Sequence, residues 1–442
     1  MSNKNQENWQ KLFAEYSILE QINLQGKFEI TATQINKFRE ARLMTKFDFK
    51  SSLPKIFQEN NLAILPITRG TYIIAPFEAY HKFEIQKATN DITVLEFPQY
   101  LRSINHKDIT SETTAINCAY ICGILQDFIQ DENNANQQLD EVIPLLPTVN
   151  GRMSSDSFSF DIHSTKDSGL LSVNINSSQI EIDAGYENLE TFIIIEAKNN
   201  IIAEDFLIRQ LYYPFRKWHQ LLNKKIKNIF LNYSNNIFYL REYVFEDINN
   251  YNSLKLVKYK KYTIDKLDIE INDINEILNK VKIINEPQSI PFPQANSFAR
   301  VINLCELLLN NNIDEEIFLT SEEITQNYDF ASRQTQYYTD AGIYLGLVVK
   351  KGIGKYALSE LGKDIFTNLS SRQKQLKLVE LILQHSIFKE TLKVYFKNFT
   401  QPSKQEIVNI MINNNLNLSR DTMERRASSV IGWITWIVNL IS

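Results

Sequence analysis

Residues 179–218 read QIEIDAGYENLETFIIIEAKNNIIAEDFLIRQLYYPFRKW, and the rest of the chain is placed around them. Side chains two apart in a β-strand point to the same face. In 191–198 this puts Glu196 and Lys198 on one side and Ile193, Ile195 and Ala197 on the other, a chemical face and a core face. In the preceding strand, 179–186, Ile180 and Ile182 alternate with Glu181 and Asp183, the pattern of a half-buried strand. A hairpin turning at Leu189 and Glu190 pairs Asn188 with Thr191, and the same register sets Asp183 across from Glu196. Opposed residues have Cβ atoms about 4.5–5.5 Å apart, so the two carboxylates repel unless a cation sits between them. Hard oxygen ligands with open water positions suit Mg²⁺, with Asp183 and Glu196 as ligands and Lys198 beside the ion.

These residues resemble the PD-(D/E)XK nucleases of restriction and repair, with Asp183 as the isolated acid and Glu196-Ala197-Lys198 as the E-x-K. A helix follows the hairpin in that family. Residues 203–218 are expected to form it, with Phe206, Gln210 and Tyr213 at helical spacing, and the resemblance implies that Gln210 supports the metal site. Two positions depart from the pattern: Ile182 precedes the acid where the family has proline, and Pro214 interrupts the helix. The resemblance implies an α/β (α+β) core, a mixed sheet flanked by helices, that hydrolyses double-stranded DNA with Mg²⁺. Cutting both strands needs two active sites, hence a homodimer. The competing reading of 179–198 is an amphipathic hairpin whose acids face solvent; the run Ile193–Ile195 argues for a buried central strand instead. The other carboxylate-x-Lys triplet, Asp48-Phe49-Lys50, precedes Ser51, Ser52 and Pro54, has no acidic strand ahead of it, and is set aside.

A chain of 442 residues, 43% of them hydrophobic, has length for two to four domains with real cores. Three cysteines make no disulfide framework; Cys118 and Cys122 lie one helical turn apart in an apolar stretch and are expected in the core. The longest apolar run near the end, 430–441, has 12 residues interrupted by Thr435 and Asn439, short of the roughly 20 that span a bilayer. No membrane association and a cytoplasmic location are expected. The net charge is −5, but residues 331–442 hold 15 Lys and Arg against 8 Asp and Glu, which places the expected phosphate-binding surface at the C-terminal end.

Four parts are expected. Residues 1–105 form an accessory, winged-helix-like module with helices at 32–43 and 52–60, strands at 62–66 and 71–74, and Arg69-Gly70 at the turn, Arg69 being either a phosphate contact or a solvated turn residue. Residues 106–285 form the nuclease domain. In it a long helix at 108–131 packs on the sheet, and the resemblance suggests that Glu112 or Glu141 adds an acid to the site. A loop, Asn150 to Ser155, brings Arg152, Ser154 and Ser155 beside the hairpin, either to hold a DNA backbone or to cap local amides. Strands 227–233 and 237–245 turn through Ser234-Asn235-Asn236, and 255–262 is a lysine-rich strand. Prolines 287, 291 and 293 mark a linker.

Residues 296–370 resemble a winged helix-turn-helix. Thr320 and Glu323 form a capping box, a helix over 333–345 stops at Gly346, and strands 348–351 and 356–359 make the wing. Arg333, Gln334, Gln336 and Tyr337 then start the recognition helix and Lys355 sits in the wing, the module serving either to contact DNA through these five or as a dimerisation or scaffold domain. Residues 371–442 are a helical or second winged-helix-like module, with Ser419 capping 420–438, Arg425 and Arg426 as further phosphate contacts and Trp433 and Trp436 in the core. Three functions compete. The first is a sequence-specific restriction endonuclease, the second a modification-dependent or repair nuclease, and the third a non-catalytic DNA-binding regulator.

Overall fold

The computed structural model describes residues 3–84, 92–104, 106, 109, 111–130, 144–198, 205–264, 267–310, 318–328 and 332–441. It comprises two compact units, Met1–Ile264 and Asp265–Ser442.

The first unit opens with α1 (Asn3–Glu15), α2 (Ile18–Gln25), β1 (Phe28–Thr31), α3 (Ala32–Asn36), α4 (Ala41–Met44), α5 (Lys55–Glu59), β2 (Ala63–Pro66) and β3 (Thr71–Ala75). The helix expected over 32–43 is two short helices. Asn36 Oδ1 takes the Ala41 N–H at 2.7 Å, an amide that a continuous helix would spend on its own ladder. An antiparallel sheet in the order β1-β3-β2 backs onto Trp9, Phe13 and Phe57, which pack edge to face.

Next come β4 (Tyr80–Lys82), β5 (Ile92–Val94), α6 (Glu112–Ile121), α7 (Ile124–Ile129), β6 (Leu146–Ser154), β7 (Ser157–His163), β8 (Leu170–Asn176), β9 (Gln179–Glu187), β10 (Thr191–Lys198), β11 (Asp205–Leu207), α8 (Arg209–Leu221), β12 (Lys225–Ser234), β13 (Ile237–Phe245) and β14 (Leu254–Thr263). Seven strands form a mixed sheet, β5-β14-β13-β12-β10-β9-β6, in which β10 runs parallel to β12 and β14 to β5. The helix α8 is the crossover that makes β10 and β12 parallel, and it packs on β9, β10 and β12. On the opposite face α6 and α7 cover Ile193, Ile195 and Ala197.

Three expectations change here. The helix expected over 108–131 breaks at Gly123, whose φ of +76° is a left-handed conformation that glycine adopts without a Cβ penalty. The stretch from Asn150 to Ser154 belongs to β6 and is not a loop, because Gly151–Ser154 pair with Gln179–Ile182 of β9. The helix expected from 203 starts at Arg209, since 205–207 pair with β4, and it continues through Pro214 to Leu221. The β12–β13 hairpin expected through Ser234-Asn235-Asn236 turns through Asn235 and Asn236, both at positive φ.

The second unit contains α9 (Ile271–Lys280), α10 (Phe298–Asn310), β15 (Leu319–Thr320), α11 (Ser321–Tyr328), α12 (Ser332–Tyr344), β16 (Val348–Gly352), β17 (Lys355–Leu358), α13 (Glu360–Thr367), α14 (Ser371–Leu383), α15 (Ser386–Asn398), α16 (Lys404–Asn413) and α17 (Arg420–Val438). A small antiparallel sheet has the order β15-β17-β16. The capping box forms, with Thr320 N–H on Glu323 and Glu323 N–H on Thr320, and Gly346 ends its helix at φ +71°. Residues 271–280, expected in the nuclease domain, pack here through Arg372 and Asp273, 2.6 Å apart. The proline-rich stretch expected as a linker is built in: Ile284 N–H donates to Gln384, and Phe292 stacks on Phe388. Among the described residues 371–441 hold helices and no strand, so no second wing is present. Trp433 is buried and its indole donates to Ala295 O, while Trp436 packs on Phe298. Among the described residues no helix is long and apolar enough to cross a membrane.

Candidate active site

Hydrogen bonding between β9 and β10 runs in the expected register, with Asn188 N–H on Thr191 O, and the last paired residues are Ile195 and Ala184. One step further the strands part, and Asp183 Oδ2 fills the gap by accepting the Ala197 N–H at 2.8 Å. The opposing strand β6 is irregular here, with register shifts on both sides of Val149 and Gly151 at φ +85°. Gly185 permits this approach, because a Cβ there would collide with the Val149 side chain and lie 3.2 Å from the Val149 carbonyl.

Glu196 is 6% exposed, and its Oε1 accepts from Lys198 Nζ at 2.6 Å and from Gln210 Nε2. Gln210 stands in the first turn of α8, and this reach across to β10 is what the crossover helix contributes. Pro214 has no N–H to offer the Gln210 carbonyl four residues earlier, so the helix tolerates it at the cost of one bond beneath the site residue. The Lys198 ammonium also donates to Ala197 O at 3.1 Å and lies 3.8 Å from Glu112 Oε1.

Burial pushes the Glu196 carboxyl up to about 8, and the neighbouring Asp183 charge adds to this against the pull of Lys198. Burial also raises Glu112, with Asp183 again contributing. Burial alone would lower Lys198, but the carboxylates of Glu196, Asp48, Glu112 and Asp183 outweigh it and hold the ammonium charged. The cleft therefore carries more carboxylate than its one central cation neutralises.

That surplus is the test of a metal. Asp183 Oδ1 and Glu196 Oε2 accept no hydrogen bond among the described residues, so each carboxylate keeps one oxygen available. Gln210 Oε1 is likewise buried without a partner among them. No set of three or more His, Cys, Asp and Glu converges among the described residues. What the cleft offers is two hard oxygens and room for water, a donor set that fits Mg²⁺ better than a fully protein-ligated ion.

The surrounding cleft, about 480 Å³, also takes in Arg42, Lys46 and Arg209, which were not singled out in the sequence, and Asp48. Arg69 lines it as well, the turn arginine already noted. The Asp48-Phe49-Lys50 triplet, set aside as a motif, is bound to the site by its backbone: Asp48 O accepts Leu207 N–H and Lys50 N–H donates to Asp205, each at 2.9 Å. No local pattern carries that information, because the partners are some 155 residues apart in sequence.

Of the expected DNA contacts, Arg152 lines the cleft and pairs with Glu181 at 3.4 Å. The two serines do not join it. Ser155 is buried with its hydroxyl on Asp156 O, and Ser154 Oγ accepts the Asp156 N–H, the local capping alternative. Glu141 and the side chain of Arg333 fall outside the described residues. In the second unit Gln336 is exposed on α12, Gln334 and Tyr337 line a groove with Arg425 and Ser428 of α17, and Lys355 sits 4.1 Å over the Phe318 ring. The lysine-rich β14 is largely paired, Lys255 with Glu246 and Lys260 with Asp127. Burial pushes the Cys118 thiol up to about 11 and Cys122 to about 12; Cys118 is in the core as expected, while Cys122 is half-buried at its edge.

Three domain families match the chain, each described as a domain of unknown function: DUF6996 over residues 6–74, DUF6997 over 75–263 and DUF7226 over 300–442. No curated protein and no solved structure matches it. The junction at 74/75 falls inside strand β3, so the first two matches share one folded unit, whereas 263 coincides with the division between units.

Proposed function

We propose that the chain is a Mg²⁺-dependent endonuclease of double-stranded DNA, with the first unit as a PD-(D/E)XK-type core and 296–370 as a winged-helix module that grips the substrate. One observation carries this: Asp183, Glu196, Lys198 and Gln210, from three separate elements, meet in a single open cleft whose rim carries arginines. A hairpin with an isolated acid on one strand and E-x-K on the next, followed by a crossover helix bearing a glutamine, is an arrangement suited to phosphodiester hydrolysis. Asp183 and Glu196 would hold the ion, which when bound lowers the pKa of a coordinated water and neutralises charge on the scissile phosphate.

The protein's own groups divide the remaining work. Lys198, charged and fixed by Glu196, orients the attacking water and faces the phosphate oxygens as negative charge builds on them. Gln210 holds Glu196 Oε1 from the helix side, which leaves the second carboxylate oxygen as the one that would hold the ion. Arg152 on the rim takes a flanking phosphate. A homodimer supplies the second cut.

The test is digestion of unmodified and methylated phage DNA by the purified protein with Mg²⁺ or with EDTA. Discrete fragments from unmodified DNA, lost with EDTA and in Lys198→Ala, support a restriction endonuclease. Cutting of methylated DNA alone assigns a modification-dependent enzyme. No cutting of any duplex, with Lys198→Ala indistinguishable from wild type in cells, leaves the DNA-binding regulator and removes the nuclease.

A further inference from the structure

The N-terminal module stands in a different family match from the catalytic hairpin, yet it forms one wall of the cleft and contributes three cations to it, Arg42, Lys46 and Arg69. Arg42 lies on α4 and Arg69 in the turn between β2 and β3. Both are exposed, and neither has an acidic partner among the described residues. Lys46 is exposed and only loosely paired, 3.9 Å from Asp48. Arg209, at the start of α8, also lines the cleft and keeps its Nε buried without an acceptor among the described residues, so a donor there is also unfilled. Two unpaired arginines, a third with an open donor and four carboxylates about one lysine set opposite charges side by side in one cleft. A neutral or cationic ligand gains nothing from the rim, whereas a polyanion pairs with it.

The wall is pinned in place. The Asp48 carbonyl accepts Leu207 N–H, Tyr80 OH donates to Phe47 O at 3.0 Å, and Tyr213 OH of α8 donates to Pro66 O at 3.1 Å. Beneath these bonds Ala63, Leu65, Ile73 and Ala75 share a core with Phe206, Tyr212 and Tyr213. The first unit as a whole is no polycation, with 28 Lys and Arg against 31 Asp and Glu, so attraction to a polyanion has to come from such a local cluster.

We propose that the N-terminal module is the backbone clamp of this cleft, with Arg42 and Arg69 each neutralising a phosphate of duplex DNA on either side of the group held over Lys198. The proposal rests on the nuclease reading for its substrate, and moves the main phosphate grip from the basic C-terminal end to the N-terminal wall.

The experiment measures binding of a labelled duplex of mixed sequence by fluorescence anisotropy across a salt series, with full-length protein carrying Lys198→Ala to keep the duplex intact. Adding R42A and R69A together should weaken binding roughly tenfold or more and reduce the slope of log affinity against log salt by about 2, close to one per lost phosphate contact. R42K with R69K should keep most of the slope, and R425A with R426A should leave it near the parent value. An unchanged slope in R42A/R69A, a loss confined to R425A/R426A, or a parent protein that does not bind duplex overturns the clamp. Both arginines are exposed, and a melting curve matching the parent shows that the variant folds. If wild-type protein cuts no DNA while R42A/R69A still lowers the slope, the clamp stands and the nuclease reading falls. If Lys198→Ala abolishes cutting while R42A/R69A binds like the parent, the reverse holds.

Discussion

Lys198 and Glu196 bind each other tightly, yet their roles in cleavage and in folding separate. In Lys198→Ala the buried Glu196 loses its counter-ion, and burial together with the Asp183 charge then favours its protonated form, so no buried charge is stranded. Single-turnover cleavage should fall about 10²–10³-fold, the usual loss on removing one donor aimed at developing charge. The melting temperature should stay within about 4 °C of wild type. A large drop in melting temperature with cleavage intact would assign the lysine a structural role. Gly185 behaves in the opposite way. A methyl there has Val149 and Phe192 in its path, the Phe192 ring at 3.2 Å, so Gly185→Ala should cost about 1–3 kcal/mol in denaturant unfolding and displace the neighbouring Asp183.

At the level of elements, the join of α6 and α7 shows a backbone requirement isolated from packing. A Cβ at Gly123 meets nothing within 4 Å, so only its φ of +76° matters, and Gly123→Ala should destabilise by about 1–2 kcal/mol while Gly123→Asn costs less. The next helix is tied to β14 through Asp127, which accepts from Lys260 Nζ and Tyr262 OH, each at 2.6 Å. Burial works to raise this carboxyl, but the lysine and tyrosine bonds prevail and hold it below the ordinary aspartate range. Because the folded value is depressed, its stabilisation is present above the unfolded pKa of about 3.9 and disappears as pH falls through the folded value. Asp127→Asn should therefore melt below wild type at neutral pH, with the difference vanishing in strong acid. A difference that persists unchanged in strong acid would tie the effect to shape and not to charge.

Considered whole, the molecule is two compact units divided at Ile264/Asp265. Calorimetry of the full chain should resolve two transitions, and a fragment beginning at residue 265 should reproduce one of them. Deleting residues 1–74 should leave no folded remainder of the first unit, because Ala63, Leu65 and Ile73 share one core with Phe206, Tyr212 and Tyr213; a cooperative melt from a chain starting at residue 75 would refute this. Divided at Ile264/Asp265, the units carry net charges of −3, from 28 Lys and Arg against 31 Asp and Glu, and −2, from 19 against 21. The basic excess counted from residue 331 is offset within its own unit by the acidic stretch ahead of it, and so does not make that unit a cation.

Period-two alternation was enough to place β9 and β10, their register and the shared face of Glu196 and Lys198, because strand geometry depends on neighbours two positions away. The Asn235-Asn236 turn, the Thr320 capping box and the Ser419 cap were equally readable, being chemistry within four residues. Contacts across more than a hundred residues were not. That Asp48, Arg42 and Arg69 stand in the wall of the cleft, that Ser155 is buried, and that 271–294 belong to the second unit follow from which surfaces find each other on folding. Such pairings are chosen by the apolar area and hydrogen bonds that the whole chain can satisfy at once, a global condition that leaves no local pattern in the sequence.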